Sequence, residues 1–334
     1  MKFKSLSCSL TAYVIASTLA ASAAYAQTAE PISEYPSRPV RMIIPFSPGG
    51  ASDFIGRILQ PKMGEALGQQ IVIENRPGAS GNIGVRAAAE STPDGYTLFL
   101  GNVSSVGINP AMFPKFPVHA PRDLIGISLV VDVPGALGVH VGIPVSTIKE
   151  FIAYAKKNKG KLSYGSAGYG SAQRMALEHF MKISGISMLH VPYKGGAGAA
   201  TVGTLSGEVA ATMVTTASLV PHMSSGKIKI LAVVSRQRVK ALPNVPTMVE
   251  SGYPSLDLGS WQGIFVPKET PKPIIDKLFG VVKKVVNDPW VGEQYERVSA
   301  QQITSDSVQE FAAFIKKQNE FWAKVIKDVG IKTQ

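Results

Sequence analysis

Cysteine is almost missing from this sequence. Cys8 is the only one in 334 residues, so no disulfide can close within the chain and no thiol pair can hold a metal. Histidine is scarce too. His119, His140, His179, His190 and His222 show neither the i, i+4 spacing nor the carboxylate companion of a metal site, so no metal is expected. Gly160-Lys161 and Gly226-Lys227 lack the upstream glycine and the following Ser or Thr of a phosphate loop, and no cofactor is expected. Charged residues are only 17 % of the chain, and no basic run alternates with aromatics, which sets nucleic acid aside. Past residue 26, no apolar run is long enough to span a bilayer.

What is present begins with an export signal. Lys2 and Lys4 precede a short apolar stretch that ends in Ala24-Tyr25-Ala26, the pattern of a secretory signal peptide cleaved after Ala26. Cys8 lies too near the start to be a lipoprotein cleavage site and leaves with the signal. An exported chain without disulfides points to the periplasm and to a core large enough to stand alone. The net charge of +11 falls to +9 once Lys2 and Lys4 are removed. That excess reads first as a solubilising surface, and it is compatible with drawing in anionic solutes. The length predicts about two domains.

The stretch Pro45-Phe46-Ser47-Pro48-Gly49-Gly50-Ala51-Ser52-Asp53 organises the first half. The β-branched and apolar run 40–44 before it reads as a buried strand. After it, Phe54, Ile55, Ile58, Leu59, Met63, Ala66 and Leu67 fall on one helical face. A strand, a Gly-Gly turn and a helix N-terminus place free backbone N–H groups at a sheet edge, which suits an anion. Ser52 or Asp53 is expected to cap the helix, and Pro61 to remove one helical bond and kink it near Arg57. An ordinary strand-to-helix turn would use the same glycines, so this stretch alone does not decide.

Further strands are expected at 71–75, 96–100, 161–164, 188–193, 209–214, 228–234 and 261–266, with loops at 110–121 and 243–254. Helices are expected at 146–157, after Gln173, at 273–287, near 290–298 and at 308–329. Alternating strands and helices predict parallel sheets. A strand broken at Pro134-Gly135 crosses between two lobes, and the strand at 261–266 returns. The segments are 27–137 for the first lobe, 138–258 for the second and 259–334 back in the first. The turn Gly165-Ser166-Ala167-Gly168-Tyr169-Gly170-Ser171-Ala172-Gln173 repeats the opening device in the second lobe. Two anion-binding turns then face each other across a cleft, where ligands prefer to bind.

These segments, with Val72-Ile73-Glu74-Asn75-Arg76-Pro77-Gly78-Ala79, Pro93-Asp94-Gly95-Tyr96-Thr97, His190-Val191-Pro192-Tyr193-Lys194-Gly195 and Leu242-Pro243-Asn244-Val245-Pro246-Thr247, resemble the Bug proteins. Those are the extracytoplasmic solute receptors of tripartite tricarboxylate transporters, and the resemblance covers nearly the whole mature chain. It implies an α/β type II periplasmic-binding-protein fold, no catalysis, and a small organic carboxylate held largely by backbone amides and ordered water. It also implies delivery to an inner-membrane permease of one large and one small subunit, by a receptor expected to be a monomer. By position, the resemblance implies ligand contacts from Phe46, Ser47, Gly49, Gly50, Ala51 and Asp53 in the first turn. The second turn would give Ser166, Ala167, Gly168, Gly170, Ser171 and Gln173, with Asn102, Ser104, Ser105, Tyr193 and Lys194 lining the cleft. Two positions depart from the family pattern: Arg174, where a histidine or similar group is common, and Met213-Val214-Thr215-Thr216, where an aromatic pair is common.

Two other functions compete. A secreted serine hydrolase would use Ser166, but a nucleophile elbow needs glycine where Tyr164 stands. A ligand sensor would touch a membrane signalling partner instead of a permease.

Overall fold

The alternation of apolar β-branched runs, glycine turns and amphipathic segments becomes, in the computed structural model, two sheets flanked by helices. The structure describes residues 31, 33–235, 237–256 and 259–333, so the expected signal peptide over 1–26 lies outside the described residues. The chain opens with β1 (Val40–Ile44), α1 (Ala51–Leu67), β2 (Ile71–Asn75), α2 (Asn82–Ala89) and β3 (Thr97–Asn102). A π-helical turn (Val103–Ile108) follows, and two four-residue helices (Asn109–Met112, Ala120–Asp123) occupy the proline-rich stretch expected as loop. β4 (Leu124–Val133) ends at Pro134, and β5 (Gly135–His140) starts the second sheet. There the chain continues through α3 (Ile148–Lys157), β6 (Ser163–Ser166), α4 (Ala172–Ser184), β7 (Leu189–Pro192), α5 (Gly196–Leu205), β8 (Ala211–Thr215) and β9 (Ile228–Val234). β10 (Ser260–Pro267) returns to the first sheet, followed by α6 (Lys272–Val286), α7 (Pro289–Arg297), β11 (Gln301–Gln302) and α8 (Val308–Val329).

The strand orders are β11-β4-β10-β3-β1-β2 and β7-β6-β8-β5-β9. Each sheet is mixed, not parallel as the alternation predicts. β10 runs antiparallel to β3 and β4, and β5 antiparallel to β8 and β9. Both are strands by which the chain enters a sheet from the other lobe. Neither is joined to its neighbours by a crossover helix, so the rule that makes βαβ strands parallel does not reach them.

Burial follows topology. β3 and β10 are buried at every position and carry the continuous apolar character of strands covered on both faces. Phe99, Phe265, Phe311, Trp261 and Trp322 fill the first core. Tyr164, Phe151, Phe180 and Leu177 fill the second. Ala172 and Met175 at the start of α4 belong to the first core although α4 flanks the second sheet, so the two lobes meet there. α1 runs unbroken across Pro61, which is exposed and removes only the bond that the Arg57 carbonyl would have accepted. β6 lies two residues later than expected, because its pairing with β7 and β8, and not its composition, fixes its ends.

Candidate functional site

Every strand that ends at the cleft is followed by a helix start, and these starts differ in one respect: whether the chain caps them. The π-helical turn after β3 is capped. The Asn102 side chain accepts the N–H groups of Ser104 and Ser105, each at 3.0 Å, and the Asn102 N–H is accepted by Ser105 Oγ at 3.1 Å. α4 is capped by Ser171, whose Oγ accepts the Arg174 N–H at 3.2 Å. α1 and α5 are not. Their N-caps are Gly50 and Gly195, with no side-chain bond to the first turn, so neither Ser52 nor Asp53 caps α1 as expected. The first N–H groups of those two helices have no partner within the helix and carry the positive end of its dipole.

Asp53 has another task. Its buried carboxylate accepts the Gly49 N–H at 3.0 Å, Arg57 Nε at 2.9 Å and Asn75 Nδ2 at 3.1 Å. Asn75 Nδ2 also donates to the Phe46 carbonyl at 2.9 Å, so the turn is tied down from behind. Burial pushes the Asp53 carboxyl up, but the Arg57, Gly49 and Asn75 donors outweigh it and the pKa ends below the ordinary value.

The second turn rests on a different frame. Ser166 Oγ accepts the Gly168 N–H at 3.1 Å and lies 2.6 Å from His190 Nε2. Arg174 donates to the Tyr169 carbonyl at 2.8 Å and to Glu178 at 3.4 Å, and Tyr164 OH donates to Glu178 at 2.6 Å. The ring of His190 stacks on Tyr164 and meets the edge of Tyr169. Burial, helped by the Arg174 charge, pushes its pKa down to about 4. A serine–histidine pair is thus present within this network. Ser166 is 0 % exposed, and Glu178, the carboxylate of this network, binds Tyr164 and Arg174.

Across the cleft the turns meet in register. A Cβ on Gly198 in α5 would stand 3.4 Å from the Gly49 carbonyl oxygen, so the turn after β7 faces the turn after β1. The Ala172 N–H donates to Ser104 Oγ at 3.1 Å, so the turn after β6 faces the end of β3. Gly170 N–H donates to Ser80 Oγ, also at 3.1 Å. Thr215 at the end of β8 lines the same cavity as Ser260 and Gln262 of β10. The order β1, β3, β10 on one side therefore faces β7, β6, β8 on the other.

Between them lies a small cavity of about 40 Å³. Among the residues expected from sequence, Phe46, Gly50, Ala51, Asn102, Ser104, Ala167 and Gln173 line it. Ser47 and Gly49 face the start of α5 without lining the cavity, Asp53 and Ser105 brace the first-lobe turns behind it, and Ser166, Gly168, Gly170 and Ser171 build the second turn without lining it. Tyr193 packs against Gly165 and Gly203, and Lys194 is exposed. Ser52, Gly195, Ala197, Thr215, Ser260 and Gln262 line the cavity and are not among the contacts expected from sequence, although Ser52 is expected there as a helix cap and Thr215 lies in the departing stretch 213–216. Gly195-Gly196 repeats the Gly49-Gly50 signal after a strand, which a search for that device would find. Ser260 and Gln262 carry no such signal. A larger depression, about 740 Å³, lies on the solvent side of α1 between Arg57 and Ile71, away from the strand ends where α/β proteins bind ligands. Among the described residues no group of three or more acidic, histidine or cysteine side chains gathers to hold a metal, and no helix is long and apolar enough to cross a membrane.

The profile of the tripartite tricarboxylate transporter family receptor matches residues 55–331. Protein BugT of Bordetella pertussis is 34 % identical over 312 residues, 92 % of this chain and 95 % of that protein. The structure of the periplasmic binding protein BugD superposes with a TM-score of 0.85 at 36 % identity, covering 90 % of this chain and all 100 % of that one. MatC of Rhodopseudomonas palustris with bound malate gives 0.82 at 28 % identity, covering 87 % of this chain and 100 % of MatC. A second R. palustris protein, with adipate, gives 0.86 at 28 % identity, covering 90 % and 100 %. With that match over most of its length, and with two lobes meeting at facing helix starts, the chain belongs to the tripartite tricarboxylate transporter receptor family.

Proposed function

We propose that this chain is an exported receptor that closes its two lobes on a small organic carboxylate and delivers it to a membrane permease with one large and one small subunit. The observation that carries the reading is the meeting of two uncapped helix N-termini, α1 and α5, in a closed cleft. The malate and adipate bound by relatives support a carboxylate as the ligand. Phe46, Gly50 and Ala51 on one side, with Gly195 and Ala197 on the other, would surround the carboxylate. Ser104, Ala167 and Gln173 complete the wall, while Asp53, Ser166 and Ser171 hold the turns in shape.

The protein acts in the periplasm as a monomer, after loss of residues 1–26, and performs no catalysis. The lobe segments 27–137, 138–258 and 259–334 belong to the same proposal, and the change of sheet at Pro134 supports the first boundary to within a few residues. Native mass spectrometry of the purified protein, backed by a thermal-shift screen of mono- and dicarboxylates, tests the reading. A retained carboxylate is expected. Ligand at a hundred times its dissociation constant should add about 2.7 kcal/mol of stability. Turnover of simple esters, with no carboxylate raising the melting temperature, would overturn it.

A further inference from the structure

Gln262 is a cavity side chain whose amide oxygen the protein leaves unanswered. It is 1 % exposed, it lines the cavity, and its Oε1 has no hydrogen-bond partner. Two of its neighbours are already engaged. Asn102, opposite it in the β3–β10 register, spends its carbonyl oxygen on Ser104 and Ser105, and Thr215 Oγ1 lies 3.1 Å from Ser218 Oγ. A buried polar atom without a partner costs stability, so its presence in a ligand cavity marks a contact that the ligand completes.

The place of Gln262 follows from sheet order. β10 is two strands from β1, roughly 10 Å at the usual strand spacing. The uncapped starts of α1 and α5 therefore lie at one end of the cavity, and Gln262, Ser260 and Thr215 at the other. The two ends differ in kind. The first has the N-termini of two α-helices, α1 and α5. At the second, β10 presents its beginning, with no helix start, and β8 leads into a four-residue helix (Thr216–Leu219) and a 3-10 segment (Val220–Ser225), whose first N–H is already taken by the Pro134 carbonyl at 2.8 Å. Among the described residues no lysine, arginine or histidine lines the cavity.

We propose, on the footing of the receptor function above, that Gln262 reads the end of the ligand remote from its carboxylate and selects an uncharged hydrogen-bonding group there, a hydroxyl or a carbamoyl, over a second carboxylate. A second carboxylate would be taken from water into a place where the described residues offer no cationic side chain and the helix start at Thr216 has its first N–H already bonded, and one neutral amide does not offset that desolvation. A hydroxyl or carbamoyl both donates and accepts, and it satisfies the Gln262 amide at far smaller cost.

The test is titration calorimetry of the purified protein with butyrate, 4-hydroxybutyrate, succinamate and succinate, repeated on Gln262→Leu and Gln262→Glu. The wild type is expected to bind 4-hydroxybutyrate and succinamate roughly tenfold tighter than succinate. Gln262→Leu should reduce that preference to within about threefold, with butyrate the best ligand, because the unanswered oxygen is gone. Gln262→Glu should weaken succinate further. Circular dichroism of each variant without ligand checks the fold. Succinate binding as tightly as succinamate in the wild type, or an undiminished preference in Gln262→Leu, overturns the assignment while leaving the receptor reading intact. If none of the four probes binds, the assignment of Gln262 falls, while the receptor reading is decided by the carboxylate screen.

Discussion

The two turns that look alike in the sequence, 45–53 in the first lobe and 165–173 in the second, differ in how they are finished. Each follows a strand, carries glycine and serine, and opens a helix. The first leaves its helix uncapped and is braced from behind by Asp53, Arg57 and Asn75. The second caps itself with Ser171 and sits on a network of Ser166, His190, Tyr164, Glu178 and Arg174. A turn that satisfies its own N–H groups keeps fewer for a ligand. The counterpart of the first turn is therefore the uncapped Gly195 start of α5, and the second turn serves as a wall.

The largest expected effect breaks the comparison at the cavity. Gly50→Val fits its backbone, since φ is −91° and a Cβ would meet only the Ser47 carbonyl oxygen, at 3.7 Å. The side chain would fill ligand space. Binding should fall about a hundredfold, roughly 3 kcal/mol, with the melting temperature unchanged. Gly168→Val should behave in the opposite way. Its φ of +113° suits glycine, and a Cβ would come 2.8 Å from Ser80 Oγ, so stability should drop first. Equal binding losses at unchanged stability would make the two turns equivalent after all.

Asp53→Ala should cost about 2 kcal/mol, because it strips partners from the Gly49 N–H and from Asn75 in a buried turn. The acid limb follows from the direction of the shift. With the folded pKa of Asp53 below its ordinary 3.8, its contribution is present above 3.8 and is lost as pH falls through the lower folded value. Asp53→Asn should flatten that limb in denaturant melts below pH 4, and an unchanged limb would remove Asp53 from the frame.

His190 gives the matching test for the second turn. Unfolded it titrates near 6.5, and folded it is held down to about 4, so the unfolded chain takes the proton first. Stability should then decline as pH falls from 6.5 to 4, by about 1–2 kcal/mol after allowing for partial exposure. His190→Gln should remove that decline, while ligand affinity at pH 7 changes little. Smallest is Ser171→Ala, which removes a cap worth about 1 kcal/mol. Calorimetry should show affinity altered by less than about twofold. A tenfold loss would return the second turn to the centre of the site.

Much of this architecture was legible because it rests on local pattern. β1, β2, the amphipathic helices at 146–157 and 308–329, the break at Pro134 and the first turn follow from side-chain periodicity and from glycine and proline chemistry. α5 was not predicted, since Gly196, Gly198 and Gly203 lower its propensity and it stands by packing on β6 and β8. The sequence by itself determined that strands alternate with helices, that a Gly-Gly turn opens a helix, and that the chain crosses twice between lobes. Only the tertiary structure decided which helix starts stay uncapped, which turn faces which, and that Gln262 meets the cavity. Capping depends on whether one side chain reaches one N–H, and facing depends on the order in which strands far apart in sequence pair within each sheet. Neither leaves a period or a composition to read along the chain.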